Sequence, residues 1–277
     1  MSETTDAKRT LIHSRVDAGV ATLTLDDPPA NGYSHEMMRA LDDAILAARM
    51  DDSVHVIVVT GAGDRFFCAG ANVEMLGRVT PRFKYFFCLH ANETLLRLEN
   101  TPKLVIAALN GHTVGGGLEV ALACDLRVGW KNTAAGAKQP KIGLPEVNLG
   151  VLPGTGGTQR LVRALGKSKA IDWMATGENK GFDEAIASGV IDRVFEADSV
   201  DAFRAKVAEF ARTFCPPHKA SQAVGFIKRA CQAGAEIPLE SGLALERELQ
   251  QQLFQAHDAK EGIAAFNAKR KPEFKGG

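Results

Sequence analysis

The period of the hydrophobic pattern changes several times along the chain. Residues 10–16 and 20–25 read as two strands, with Asp17-Ala18-Gly19 as the hairpin turn between them. The alternation in Ala21-Thr22-Leu23-Thr24-Leu25 gives the second strand one buried face. Pro28-Pro29-Ala30-Asn31-Gly32 breaks the pattern, and Ser34 then stands where an N-cap is expected. Behind it Met37, Leu41, Ile45 and Leu46 recur with helical spacing. Residues 54–60 are a nearly continuous apolar run, interrupted only by His55, as in a strand covered on both faces. Gly61-Ala62-Gly63-Asp64 ends that run.

The same sequence of patterns follows again. A helix is predicted over 82–98, a strand over 104–109, a helix over 118–124 after a run of glycines, and a strand over 126–130. Strands alternating with helices predict an α/β class with parallel pairing. Residues 131–141 are polar, contain Gly136 and Pro140, and read as a surface loop carrying Lys131, Lys138 and Lys141. Beyond Val194 the segments 201–214, 220–231, 239–256 and 259–269 are all helix-like. The expected organisation is therefore an α/β core over residues 1–198 and a helical C-terminal region over residues 199–277. No period of the kind that marks a solenoid is present.

Charge narrows the function classes. The 33 basic residues equal the 33 acidic ones, so no global field draws the chain to nucleic acid or to a membrane. An anionic ligand would have to be held by locally placed groups. Five cysteines, with no C-x-x-C pair, read as reduced thiols and not as a metal site. The polar opening, Met1-Ser2-Glu3-Thr4-Thr5-Asp6, lacks the apolar stretch of a signal peptide, so a cytoplasmic protein is expected.

Candidate chemistry lies in three glycine-rich stretches and two glutamates. Cys68-Ala69-Gly70-Ala71-Asn72 and Gly115-Gly116-Gly117-Leu118-Glu119 each put small residues just before a helical run; Pro153-Gly154-Thr155-Gly156-Gly157-Thr158 is the third. Backbone amides at a helix start favour negative charge, and two that converge on one oxygen form an oxyanion hole. Tight strand-to-helix packing without a ligand is the competing reading. Glu119 lies in the apolar stretch Leu118–Ala123, and Glu146 sits in Leu144-Pro145-Glu146-Val147. Apolar surroundings raise a carboxyl pKa, as acid/base chemistry requires. Gly61-Ala62-Gly63 begins like a dinucleotide fingerprint, but Phe66 takes the place of the third glycine, and no phosphate-binding P-loop is present.

These segments resemble the signatures of one family. Ala69-Gly70-Ala71-Asn72-Val73-Glu74-Met75-Leu76 is similar to the first crotonase motif, A-G-A-D-[IL]-x-x-[ML]. Asn110 to Glu119 resembles the second, N-G-x-x-x-G-G-G-x-E, and Pro145 to Leu161 the third, P-E-x-x-L-G followed by P-G-x-G-G-T-Q-R-L. The resemblance, to the enoyl-CoA hydratase/isomerase family, runs from about Leu11 to Phe274. It implies a spiral of stacked ββα units followed by a helical oligomerisation region. It implies addition of water to a trans-2-enoyl-CoA, with Glu119 and Glu146 as the catalytic pair. The amides of Ala71 and Gly116 would form the oxyanion hole, and Gly154 would aim its amide at the reacting centre. Coenzyme A, part of the substrate and the only nucleotide group required, would lie along Pro29, Ala30, Asn31, Ala69, Gly70, Asn72 and Val73. Phe266 and Lys269 would reach its nucleotide end from a neighbouring subunit of a trimer or dimer of trimers.

Two departures stand out. Asn72 replaces the aspartate of the first motif, and Glu74 stands where a basic residue is often found. The stretch 129–142 is longer than in typical hydratases and, with residues 75–88, is expected to wall the acyl pocket. The rival readings are a Δ3,Δ2-enoyl-CoA isomerase, which needs only the carboxylate at Glu146, another CoA lyase of the family, an RNA-binding member, and a non-catalytic homologue. Glutamates at both positions favour hydration. His112, close to the second motif, reads as structural, as do His90, Asn92 and Glu93 on the preceding helix.

Overall fold

The computed structural model describes residues 9–277, so the polar opening at residues 1–6 lies outside the described residues. β1 (Ile12–Asp17) and β2 (Val20–Leu25) pair antiparallel around Ala18 and Gly19, as the alternation predicts. The Ser34 hydroxyl accepts the Met37 amide at 3.2 Å and caps α1 (His35–Met50), whose apolar stripe of Met37, Met38, Leu41 and Ile45 is buried.

Three times the chain then runs a long strand, a connection, a short strand and a helical segment; the connection is a tight turn in the first two units and the long polar loop in the third. The first unit is β3 (Val56–Gly61), β4 (Phe66–Cys68), α2 (Val73–Leu76) and α3 (Pro81–Glu99). The second is β5 (Leu104–Leu109), β6 (His112–Val114) and α4 (Gly116–Leu122). The third is β7 (Leu126–Asn132), β8 (Lys141–Gly143), a 3-10 turn over Glu146–Leu149, α5 (Gly157–Leu165) and α6 (Lys167–Thr176). β9 (Lys180–Gly181), α7 (Phe182–Ser188) and β10 (Arg193–Ala197) close the core. β2, β3, β5, β7 and β10 pair in parallel in one sheet with β1 at its edge, while the short strands form a second sheet in the order β4-β6-β8-β9. This is the spiral of ββα units that the family resemblance implied.

The central strands bury both faces. Ile57, Val59, Val105, Ala107 and Leu109 face α1, α3 and α4, while Val56, Val58, Ile106 and Ala108 face a second core with Phe203, Val207 and Ala211. Those last three belong to α8 (Val200–Arg212), so the first C-terminal helix covers the large sheet. α9 (Ser221–Gly234), α10 (Leu239–Gln255) and α11 (His257–Asn267) follow. Lys228 of α9 is anchored to the core by an ion pair with Asp125 at 2.9 Å and a bond to the Lys103 carbonyl at 3.1 Å.

Two buried asparagines fix the turns that carry the site. Asn110 Oδ1 accepts the Gly61 amide at 2.9 Å, and its Nδ2 donates to the Gly61 and Gly63 carbonyls, both at 3.0 Å. Asn31 Nδ2 donates to the Ala62 carbonyl at 3.0 Å and the Phe66 carbonyl at 2.8 Å. The Gly61-Ala62-Gly63 turn is therefore gripped from two sides and serves packing.

Candidate active site

A cleft of about 540 Å³ opens where the short strands end. Its lining comes from Tyr33, from Ala69, Ala71 and Val73, from the stretch between Leu76 and Lys84, from Val114 to Gly116 with Glu119, and from Pro145 to Thr155. Five separate segments thus converge on one space.

The two leading glycine motifs meet there. Gly70 has φ +87°, and a Cβ on it would lie 2.6 Å from the Gly116 nitrogen, so the two turns are in direct contact. Tyr33 bridges to the first turn: its amide donates to the Gly70 carbonyl at 2.9 Å, and its carbonyl accepts the Asn72 amide at 3.1 Å. In such a parallel bridge the residue between the two bonded ones turns its own amide the other way, so the Ala71 N–H faces away from Tyr33. Gly116 opens α4, and the first amides of a helix have no acceptor within it. Both residues line the cleft.

Both predicted glutamates face the same space in different environments. Glu119, on α4, is only 2% exposed, and its Oε1 accepts the Thr155 and Gly157 amides, each at 2.7 Å. Burial raises its pKa, opposed by those two amides, the Thr155 hydroxyl and Arg160. Glu146, at the start of the 3-10 turn, has a buried Oε2 with no hydrogen-bond partner. Burial and then the Glu119 charge push its pKa up to about 7, against the pull of its own backbone amide and of Lys84. Helix α5 starts at Gly157, with Gly156 before it at φ +106°, and the Thr155 and Gly157 amides on either side of Gly156 both point at the carboxylate.

The other predicted residues divide. Ala69, Ala71, Val73, Gly116 and Gly154 line the cleft. Gly70 and Ala30 act through backbone, the Gly70 carbonyl taking Tyr33 and the Ala30 carbonyl taking the Ala69 amide at 3.0 Å. Asn31 spends its side chain on the Gly61 turn, and Pro29 follows a cis peptide bond just before it. The Asn72 side chain accepts the Met75 amide at 2.9 Å and caps α2, and Glu74 pairs with Arg78 on the surface. Phe266 is 84% exposed on α11, with Lys269 just past that helix, and neither lines the cleft. The long polar loop does not line it either; besides residues 76–84, the lining includes Asn148, Leu149, Val151 and Leu152. Lys131 is tied to Glu196 at 2.8 Å, and His112 Nδ1 accepts the Lys141 amide at 3.0 Å, which holds that loop against the core edge.

Two residues escaped the sequence reading. Tyr33 lines the cleft and bonds Thr155 Oγ1 at 3.0 Å. Arg160 forms a two-pronged pair with Glu99, at 2.7 and 2.6 Å, and donates to the Thr155 carbonyl at 3.1 Å. Arg160 lay in the third motif, but nothing in the sequence supplied its partner.

Comparison with known proteins gives matches over nearly the whole chain. A family model for enoyl-CoA hydratase/isomerase matches residues 15–277. The chain is 36% identical to a 2,3-dehydroadipyl-CoA hydratase of Escherichia coli (strain K12), over 93% of this chain and 95% of that one. It is 33% identical to a short-chain-enoyl-CoA hydratase of Clostridium acetobutylicum, over 92% and 93%. Among solved structures, an enoyl-CoA hydratase from Geobacillus kaustophilus HTA426 superposes with a TM-score of 0.90 at 43% identity, covering 97% of this chain and 98% of that one. The match over nearly the whole chain, together with the shared fold, establishes that this protein belongs to the enoyl-CoA hydratase/isomerase family.

Proposed function

We propose that the protein is an enoyl-CoA hydratase that adds water across the double bond of a trans-2-enoyl-CoA to give a 3-hydroxyacyl-CoA. The observation that carries this reading is the pair of glutamates on one cleft. Glu119 is clamped by donors that favour its charged form, whereas Glu146 leaves its Oε2 without a partner and has a pKa near 7. Ionised Glu119 takes a proton from water as the water oxygen bonds to Cβ. The electron pair of the double bond moves into the thioester, and the enolate oxygen accepts the Ala71 and Gly116 amides. Glu146 delivers its proton to Cα. The two carboxyls share one site and titrate as a coupled pair, and proton exchange with water resets them. No cofactor enters this sequence, since coenzyme A belongs to the substrate.

In the same reading coenzyme A runs from the cleft along Ala69 to Val73 and the 29–31 loop. Gly154 faces the reacting centre. The exposed Phe266 and the neighbouring Lys269 serve the nucleotide end in an adjacent subunit of a trimer or dimer of trimers. The exposure of Phe266 away from its own chain's cleft supports that assignment. Five unpaired cysteines support a reducing, cytoplasmic setting.

The test is loss of the conjugated thioester absorbance of crotonyl-CoA, with Glu119→Gln and Glu146→Gln alongside the wild type. Hydration should fall roughly a hundred-fold or more in each variant. Isomerisation of a 3-enoyl-CoA that survives Glu119→Gln but not Glu146→Gln would give the site to an isomerase.

A further inference from the structure

Tyr33 touches both amide-bearing turns and Thr155, although none of the sequence motifs includes it. Its ring packs on Phe87 with centroids 5.9 Å apart, and its hydroxyl, inside the protein, bonds Thr155 Oγ1 at 3.0 Å. That hydroxyl occupies the space a Cβ on Gly116 would need. Its backbone holds the strand that carries the Ala71 amide, through Gly70 and Asn72. Thr155, its partner, gives its own amide to Glu119 Oε1 at 2.7 Å.

On the hydratase reading of the site, we propose that Tyr33 is a positioning residue that acts through Thr155 to hold Glu119 in register with the Ala71 and Gly116 amides. The Tyr33 hydroxyl fixes the Thr155 side chain at 3.0 Å, and with it the backbone whose amide Glu119 Oε1 accepts at 2.7 Å. The coupling therefore runs from the Tyr33 hydroxyl through Thr155 to the carboxylate. A buried tyrosine that only satisfies its own hydroxyl would have no effect on the state of Glu119.

The experiment is a double-mutant cycle on crotonyl-CoA hydration with Tyr33→Phe, Thr155→Val and the pair, each checked by thermal unfolding. Tyr33→Phe keeps the ring and removes one oxygen. We expect kcat to fall about ten-fold with KM little changed. The acid limb of the pH profile should move upward as Glu119 loses support. The double variant should be no slower than Thr155→Val alone. Wild-type kinetics and pH profile in Tyr33→Phe would overturn the proposal. So would losses that multiply in the double variant, because Tyr33 would then act without Thr155. Should Thr155→Val not fold, Thr155→Ser retains the hydroxyl and must keep the sensitivity to Tyr33→Phe; losing it also overturns the proposal. A wild type that fails to hydrate crotonyl-CoA would instead sink the hydratase reading.

Discussion

Glu119 turns Oε1 into two backbone amides at 2.7 Å, while Glu146, on the same cleft, keeps a buried Oε2 with no partner. One sequence letter thus occurs in two electrostatic settings. If Glu146 donates the proton to Cα, hydration should decline as the pH rises through about 7, where that carboxyl ionises. Glu119→Gln removes the negative charge that helps raise the Glu146 pKa, so the residual transition should move down. Lys84→Met removes a nearby cation that lowers it, so the transition should move up. Rate profiles from pH 5 to 9 with crotonyl-CoA check all three directions.

The same carboxyl affects stability. The folded pKa of Glu146, about 7, lies above the usual 4.5. Its contribution is thus fully present below about pH 4.5 and is lost as pH rises through 7. Glu146→Gln escapes that loss. Relative to the wild type, the variant should gain on the order of 1–2 kcal/mol between pH 5 and pH 8, after discounting for the partly solvated position. Urea unfolding at the two pH values measures it; a difference that does not grow with pH would argue against a carboxyl whose pKa is raised by burial.

Arg160 holds the clamp from behind. It fills Glu99 with two bonds and reaches the Thr155 carbonyl. Arg160→Met leaves Glu99 without its cation and should cost about 3 kcal/mol, the low end for a buried pair. Arg160→Lys keeps the charge but not the fork, and should recover part of the stability while kcat stays depressed. Melting temperature and kcat measured together separate these effects.

Gly70 is required twice, by its φ of +87° and by its contact with Gly116. Gly70→Ala strains the backbone by about 1–3 kcal/mol and pushes the two amide-bearing turns apart. Activity on crotonyl-CoA should be nearly abolished, while far-UV circular dichroism stays close to wild type. A variant that keeps full activity would show that the turns need not touch.

Patterns with a period were legible in the sequence. The β1–β2 hairpin, the doubly buried β3 and β5, the Ser34 cap and the four C-terminal helices follow from alternation, apolar runs and capping. The short strands β4, β6 and β8 span three residues each, too few for alternation to register, yet they deliver the site. Both glutamates and both amide-bearing turns could be named from their motifs. Their partners could not. The Tyr33–Thr155 and Arg160–Glu99 contacts join distant segments, and a side chain's spatial neighbour leaves no local mark. The long loop after β7 drew attention by its length, but it does not line the cleft; Asn148, Leu149, Val151 and Leu152, at and after the 3-10 turn, do.

The bond between Tyr33 and Thr155 closes 122 residues of chain, and those to Glu119 from Thr155 and Gly157 close 36 and 38. Contacts of such long range form only after the intervening loops have given up their entropy. Secondary structure can return early in refolding, but the acid/base constellation cannot exist until the first hairpin, the glycine turns and α5 have all docked. Regain of turnover in a refolding experiment would therefore lag behind recovery of helical signal and mark the last step of assembly.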